Sequence, residues 1–301
     1  MLNKALKKIS CVLFSVILFA VTVLPANAVA LYTDGDYTYA EIDENYVSLY
    51  NYTGENTVLT INDESFGKYV YSVYDYAFDE NTAISGVDFS NAKHLYEIGA
   101  RAFSECSALS TRVVLPSMLR SIGFAAFQDS TELPSVTVGG AVREIPDQCF
   151  YGCTSLTEVA LPNALSSIGK LSFANCPQLG KIYISNTVTS IDKSAFKNSN
   201  NVTICCYYKS YGYHYAKNNN IPYELLDGVK LGDVDGDGDI TITDATAVQR
   251  YLAELDVLDD IHLYAADANG DGDADISDAT AIQMAVAKIP TGHPIGEVIT
   301  K

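Results

Sequence analysis

The sequence predicts a solenoid of short β-strands followed by a small all-α module, and three observations lead to this fold class. A phenylalanine recurs every 23 residues through the middle of the chain, which indicates stacked coils. An Asp-rich loop occurs twice near the C-terminus, and a helical pattern follows each copy. An apolar run behind three lysines opens the chain and indicates a secreted protein.

Residues 1–28 have the three parts of a secretory signal peptide. An apolar run at residues 11–24 follows three lysines, Lys4, Lys7 and Lys8. Ala26 and Ala28 then supply a small-x-small cleavage site. A transmembrane anchor is the alternative, but the run is shorter than the roughly 20 residues that span a bilayer. We therefore expect cleavage after Ala28, an extracellular location and no membrane insertion of the mature chain.

The chain is strongly acidic, with 37 acidic and 19 basic side chains and a formal net charge of −18. Loss of the signal peptide removes three lysines and no acid, which takes the charge from −18 to −21. Nucleic acid and anionic membrane surfaces are poor partners for such a chain. Two bound Ca²⁺ ions would offset four of these charges.

Several apolar positions repeat at the 23-residue step. Each coil has too little apolar surface to fold alone, so the coils must stack on one another. Alternation at residues 182–184 predicts a short strand in each coil. The repeating series are Phe127, Phe150, Phe173 and Phe196, then Ile122, Ile145, Ile168 and Ile191, then Leu133, Leu156, Leu179 and Val202.

The coil pattern Ile-Gly-x-x-Ala-Phe-x-x-Cys-x-x-Leu, seen from Ile168 to Leu179 with minor changes, resembles the leucine-rich repeats of the BspA-like family. The resemblance covers about residues 32–226, including a β-rich entry segment and an exit cap. It implies a binding scaffold for a protein, a cell-surface component or a glycan, and it does not identify that ligand.

Six cysteines remain after signal cleavage. Three of them stand three residues after a repeat phenylalanine, where other coils have Ser130 or Ser199, so we interpret the position as a small buried slot that holds a packed thiol. Disulfides are the alternative, because coils that stack about 4.8 Å apart would bring Cys153 and Cys176 within bonding range. Cys149, Cys205 and Cys206 have no evident role, and the slot cysteines are Cys106, Cys153 and Cys176.

Residues 233–244 and 267–278 are two copies of one twelve-residue loop. Carboxylates at alternate positions repel one another unless a hard cation lies between them, and Ca²⁺ takes six to eight oxygen ligands from such loops. Gly238 and Gly272 occupy the sixth position, where the chain turns sharply. A turn that binds nothing is the alternative. The predicted ligands of two Ca²⁺ ions are Asp233, Asp235, Asp237, the Asp239 carbonyl, Thr241 directly or through water, and Asp244, then Asp267, Asn269, Asp271, the Asp273 carbonyl, Asp275 and Asp278.

Each loop ends in Asp and leads into a helix, and no comparable helix precedes Asp233. This loop–helix unit, repeated over residues 231–289, resembles a type I dockerin. The resemblance implies a calcium-dependent module that binds a cohesin domain of a scaffoldin in a cellulosome. Two apolar stripes are predicted to pack the helices together around a near-twofold axis: Val248, Leu252 and Leu255, and Ile282, Val286 and Ile289.

The dockerin resemblance also implies cohesin-binding positions and two binding orientations related by a half-turn. Many such modules carry Ser or Thr at the tenth loop position, whereas both copies here carry isoleucine, which favours a more apolar cohesin. The alternative is that Ile242 and Ile276 pack in the core. Carried over position by position, the contacts are Ile242, Thr243, Gln249 and Arg250, and Ile276, Ser277, Gln283 and Met284.

The predicted organisation has five segments. They are a signal peptide at 1–28, a β-rich entry segment with the first coil at 29–80, the solenoid with its cap at 81–227, the dockerin at 228–290 and a tail at 291–301.

No catalytic constellation is visible in the sequence. The four histidines lack metal-ligand spacing, no Gly-x-Ser-x-Gly motif occurs, and acids outside the loops are scattered. We therefore expect a secreted, non-catalytic cellulosome component that acts in polysaccharide catabolism. A polysaccharide hydrolase is one alternative. Another is a carbohydrate-binding module that uses a tyrosine strip at Tyr37, Tyr39, Tyr69 and Tyr71, although these tyrosines also suit a covered solenoid end.

Overall fold

The computed structural model describes residues 29–299, so the predicted signal peptide lies outside the described residues. An antiparallel meander opens the chain, and its third strand pairs in parallel with the first coil of the solenoid. Within residues 29–299, no helix has the length and apolar content needed to cross a membrane. The entry strands are β1 (Leu31–Asp34), β2 (Tyr37–Glu41), β3 (Tyr46–Tyr52), β4 (Val58–Thr60), β5 (Glu64–Ser65) and β6 (Lys68–Val73).

The coils stack through parallel strands of two to four residues, and equivalent residues of successive coils are register partners. One side of the solenoid carries β8 (Glu97–Ile98), β10 (Ser121–Ile122), β12 (Glu144–Ile145), β14 (Ser167–Ile168) and β16 (Ser190–Ile191). The other side carries β7 (Gly86–Asp88), β9 (Val113–Val114), β11 (Ser135–Thr137), β13 (Glu158–Ala160), β15 (Lys181–Tyr183), β17 (Thr203–Cys206) and β18 (Tyr223–Leu225). The predicted solenoid of short strands is confirmed.

A column of phenylalanines forms the axis of the solenoid core. Neighbouring rings stack with centroids 5.1–5.5 Å apart and planes within 22° of parallel. Tyr215 of the cap meets the last ring at 6.0 Å. The 23-residue period therefore exists because each ring needs a ring from the next coil on its face. The column comprises Phe78, Phe103, Phe127, Phe150, Phe173 and Phe196.

The slot three residues after the phenylalanines from Phe103 to Phe196 holds a hydrogen-bond donor. The Cys153 thiol donates to the Phe127 carbonyl oxygen at 3.1 Å. In other coils the Ser130 and Ser199 hydroxyls donate to the equivalent carbonyls at 2.8 and 2.6 Å. A donor that links one coil to the preceding one explains why the slot accepts Cys or Ser. All six cysteines of residues 29–299 are buried free thiols, as the packed-thiol interpretation expects.

The cysteine slots give a matched pair of substitutions. Cys153→Ser retains a donor to the Phe127 carbonyl and should change the free energy of unfolding by less than about 1 kcal/mol. Cys149→Ser should cost about 1–3 kcal/mol, because no hydrogen-bond acceptor of its side chain is found among residues 29–299 and the hydroxyl would be buried unpaired. Urea unfolding followed by circular dichroism measures both. Equal losses in the two variants would contradict the role assigned to the slot.

The cap and the C-terminal module contain four helices: α1 (Tyr211–Asn218), α2 (Ile242–Leu252), α3 (Asp260–Ala266) and α4 (Ile276–Val286). The two ends of the C-terminal module are joined by a short antiparallel pair, β19 (Val229–Lys230) with β20 (Val298–Ile299). The sequence did not indicate this pair, which ties part of the predicted tail to the start of the predicted dockerin. The exact domain boundaries stay a prediction.

The predicted apolar stripes are only partly correct. Val248 and Ile282 are fully buried between α2 and α4. The other four stripe residues are 39–66 % exposed, because the small core of the module is completed by alanines and by α3 instead. The exposed stripe residues are Leu252, Leu255, Val286 and Ile289.

The solenoid cap and the helical module share helix α3. Ile261 and Ala265 are buried with the solenoid core, whereas Ala266 is buried with the module core. At the start of α3, the Asp259 carboxylate accepts a hydrogen bond from Lys217 Nζ at 3.1 Å and contacts His262 Nδ1 at 2.7 Å. The two units therefore meet in a packed interface.

Asp259 makes this interface sensitive to acid. Burial alone would raise its pKa, but hydrogen bonds from the His262 amide and from Lys217 lower it to about 2. A carboxyl with a lowered folded-state pKa stabilises the fold above its unfolded pKa of about 3.9 and loses that effect as the pH falls through the folded value. The stability advantage of the native chain over Asp259→Asn should therefore be full above about pH 4 and vanish towards pH 2. Thermal unfolding across this range measures it, and a constant difference would contradict the assignment.

Candidate metal centre and partner-binding surface

The last residue of the first loop, Asp244, joins the loop to helix α2. Its side chain is fully buried, and Oδ1 accepts hydrogen bonds from the amides of Val234 at 2.7 Å and Asp235 at 3.1 Å. Its Oδ2 accepts from the Thr241 amide at 2.8 Å, which completes a capping box at the start of α2. The terminal Asp thus closes the loop through backbone amides, and the loop and helix form one unit.

The first loop brings three carboxylates together. One oxygen from each of Asp233, Asp235 and Asp237 lies within 4.8 Å of the others. Asp233 Oδ1 is buried and has no hydrogen-bond partner, and burial followed by the nearby charge of Asp244 raises the pKa of this carboxyl. A buried, unpaired carboxylate oxygen among like charges is costly unless a cation compensates it. These residues therefore fit a hard divalent cation such as Ca²⁺.

Glycine at the sixth position of each loop is explained by the backbone. Gly238 has φ 97° and Gly272 has φ 103°, which is the left-handed region that favours glycine. No atom lies within 4 Å of a Cβ built at either residue. Glycine is therefore required by the backbone conformation and not by a lack of space for a side chain. The turn directs the Gly238 amide to the Asp233 carboxylate and the Gly272 amide to the Asp267 carboxylate, both at 3.0 Å.

The second loop repeats this geometry. Asp278 is buried and accepts hydrogen bonds from the amides of Asn269 at 3.0 Å and Asp275 at 2.8 Å. Burial, the first cause, raises the pKa of Asp278, and the charges of Asp267 and Asp275 add to this. Asn269 directs its amide nitrogen to Asp271 at 2.9 Å. The second loop therefore has one carboxylate fewer at its first, third and fifth positions, where Asn269 stands at the third, but it keeps the same closure.

The ninth loop position has a second task that the sequence analysis missed. Thr241 and Asp275 are the N-caps of α2 and α4, and their side chains accept from the amides of Thr243 at 3.2 Å and Ser277 at 2.6 Å. Thr or Asp at this position, three residues before an acid, was the available signal. Metal ligation by the ninth position, and by the carbonyls of Asp239 and Asp273, stays a prediction.

The two isoleucines at the tenth position project from the module. Ile242 is 55 % exposed and Ile276 is 60 % exposed, so the alternative that they pack in the core is wrong. The hydrophobic eighth position, Ile240 and Ala274, supplies the core contact instead. Thr243 and Ser277, beside the isoleucines, are also exposed.

The helical parts of the two predicted contact surfaces differ. Gln249 and Arg250 are exposed, whereas Gln283 and Met284 are half-buried. Arg250 also pairs with Asp256, with Nη2 to Oδ1 at 3.1 Å. The two copies are therefore equivalent at the loop positions and unequal along the helices.

The predicted tyrosine strip does not form as described. Tyr39 is 2 % exposed, and the Tyr37 ring packs on Tyr52 with centroids 4.7 Å apart. Their burial follows from the meander, which covers the end of the solenoid. Tyr69 is exposed, but it stacks on His94 at 3.9 Å, so one face of its ring is occupied.

Comparison with known proteins supports the division into two modules. Residues 71–203 match the model of the BspA type leucine rich repeat region in six copies. Residues 231–287 match the model of the dockerin type I domain. These two segments of the chain therefore belong to those families. Both are non-catalytic modules that act in protein interaction, type I dockerins typically bind calcium, and no enzyme domain is matched.

Solved structures of bacterial leucine-rich repeat proteins are similar to the chain. A leucine rich cell surface protein from Faecalibacterium prausnitzii is 25% identical with a TM-score of 0.46, covering 60% of this chain and 56% of that one. A leucine-rich repeat protein from Eubacterium ventriosum is 23% identical with a TM-score of 0.42, covering 58% and 51%. The chain thus spans about half the length of these two proteins. No curated protein matches it.

The matching first positions of the two loops allow a direct count of metal sites. We expect two Ca²⁺ per native chain by isothermal titration calorimetry and one in either Asp233→Asn or Asp267→Asn. Each lost site should lower the free energy of unfolding by about 2.7 kcal/mol at a hundredfold excess of Ca²⁺ over the dissociation constant. Asp256→Asn, outside both loops, is the control. Two ions in both loop variants, or none in the native chain, would contradict the site assignment.

Proposed function

We propose that the protein is a non-catalytic, secreted component of a cellulosome-type assembly that degrades polysaccharide. The dockerin, stabilised by two Ca²⁺ ions, binds a cohesin domain of a scaffoldin and so attaches the protein to the assembly. The observation that supports this most is the pair of exposed isoleucines, Ile242 and Ile276, each held next to a closed acidic loop.

Calcium has a structural role in this proposal. The module core consists mainly of alanines with Val234, Val248 and Ile282, which is little apolar surface for independent folding. Without a cation, the carboxylates of each loop oppose closure, so calcium binding supplies part of the folding free energy. The proposed cohesin-binding residues lie at the end of each loop and on the helix that follows it. Because calcium is proposed to order the loop, cohesin binding should depend on calcium.

The leucine-rich repeats carry the second binding activity. BspA-type repeats and dockerins occur typically in extracellular or surface-associated proteins, so the ligand is a protein or a cell-surface component. A glycan that stacks on the entry tyrosines is less well supported, since Tyr39 is buried and the rings of Tyr37 and Tyr69 pack on neighbouring rings. The repeats are proposed to bind and not to hydrolyse.

Calorimetry of the mature chain against a panel of cohesins tests the tethering proposal. We expect binding to at least one cohesin in Ca²⁺ and loss of that binding after chelation. If either loop can present the contact, Ile242→Ala and Ile276→Ala alone should each weaken binding only slightly, and the double variant should weaken it at least tenfold. Val257→Ala is a matched control, because this residue is 94 % exposed outside the proposed contacts.

Two results would refute the tethering proposal: equal affinity with and without chelator, or no binding to any cohesin. Release of reducing sugar from plant polysaccharides by the purified chain would refute the non-catalytic assignment.

A further inference from the structure

The two calcium loops have nearly the same sequence but different neighbours. Gly236 occupies the fourth position of the first loop, and a Cβ built there would lie 3.1 Å from Tyr208 Cε1 and 3.3 Å from Lys209 Nζ of the solenoid cap. Gly270 is the equivalent residue of the second loop, and among residues 29–299 the one atom within 4 Å of its Cβ is Pro294 Cγ at 3.8 Å. In this part of the chain, the first loop lies against the cap and the second does not.

The same cap residue reaches helix α3. The Tyr208 hydroxyl and His262 Nε2 are 2.8 Å apart, and His262 Nδ1 contacts the Asp259 carboxylate. The Tyr213 hydroxyl of the cap donates to Asp259 at 3.4 Å, and Lys217 pairs with the same carboxylate. Tyr208 therefore touches both the first loop and the polar network that holds α3.

Helix α3 is also connected to the first loop through the backbone. The Gly232 amide, one residue before the first predicted ligand, donates to the Ala265 carbonyl of α3 at 2.8 Å. Ala265 is buried in the solenoid core and Ala266 in the module core. A continuous path of contacts thus runs from the cap through α3 to Asp233.

Charge complementarity favours the same contact. Residues 193–222, which form the last coil and the cap, contain four lysines and no acidic residue. Residues 228–290 contain fourteen acidic and three basic residues. The acidic module is therefore attracted to this end of the solenoid.

We propose that Ca²⁺ in the first loop locks the dockerin onto the solenoid cap, whereas Ca²⁺ in the second loop does not. The inference rests on the proposed calcium sites. The lock makes one rigid unit of the two modules, so that a cohesin bound at the exposed isoleucines holds the repeats in a fixed direction.

Two effects of the first ion oppose each other at this contact. Its charge weakens the attraction between the loop and Lys209, but exposed ion pairs contribute only about 0–1 kcal/mol. Fixing the loop backbone costs about 1–2 kcal/mol of conformational entropy for each residue, and several loop residues surround Gly236. A loop that calcium has already ordered does not pay this cost when it docks on the cap. The ordering effect of calcium is therefore larger than the loss of attraction to Lys209, and calcium strengthens the docking.

Hydrogen exchange of the mature full-length chain tests the lock with calcium as the only ligand. Amides of residues 207–218 should exchange at least tenfold faster after chelation. Asp233→Asn should reproduce this increase in saturating Ca²⁺, and the matched variant Asp267→Asn should stay within twofold of the native chain.

The coupling must also act in reverse, because binding free energies are reciprocal. Tyr208→Ala should weaken one of the two calcium sites at least threefold and leave the other unchanged. Tyr211→Ala, at an exposed tyrosine of the same cap, should leave both unchanged. Gly236→Ala and Gly270→Ala share a positive φ, so any greater loss of cap protection in Gly236→Ala reports the contact with Tyr208.

Calorimetry on the same samples separates the two levels of the proposal. Two bound Ca²⁺ with cap exchange unchanged by chelation would overturn the lock and leave the calcium sites intact. Equal effects of Asp233→Asn and Asp267→Asn on the cap would also overturn it. Absence of any calcium binding would overturn both the lock and the proposed function of the loops.

Discussion

The structure depends first on the stacking of one coil on the next. A coil of this solenoid holds a single large ring in its core, and the faces of that ring are covered only by the rings of its neighbours, for example Phe150 between Phe127 and Phe173. No coil can therefore be stable alone. The entry meander and the cap exist because the column has two ends, and Tyr215 closes the second of them.

The stability of the dockerin is limited by its small core and by charge repulsion within its loops. Its apolar core is small, and its loops gather carboxylates that repel one another. The buried twelfth residue of each loop shows how the chain handles this repulsion: backbone amides donate to Asp244 and Asp278, while Asp233 keeps a buried oxygen without a hydrogen-bond partner, which a cation would satisfy. The repeats are thus stabilised by apolar stacking, and the dockerin is proposed to be stabilised by its bound calcium.

Periodicity and loop chemistry made most of the fold predictable. The 23-residue period located the coils from Phe127 to Phe196, and the loop pattern located both acidic loops and helices α2 and α4. A residue with positive φ recurs two positions before the core phenylalanine of several coils, for example Ala125, Gln148 and Leu171. The sequence could not predict this conformation, because these side chains have no preference for positive φ. The exposure of Leu255 and Ile289 was also missed, since helices α2 and α4 end at Leu252 and Val286 and the predicted stripes do not continue beyond them.

The interface between the modules was the largest omission, and its cause is physical. Helix α3 has a short sequence without strong periodicity, and its role depends on two cores that meet only in three dimensions. The available signal was the distribution of charge, with lysines and no acids at residues 193–222 beside a strongly acidic segment. A duplicated sequence suggests that the two loops behave alike. The first loop, however, lies against the cap and the second against the C-terminal tail, so calcium in each loop would order different neighbouring residues. The proposed asymmetry of the two sites therefore rests on the surrounding structure, which differs more than the two loop sequences do.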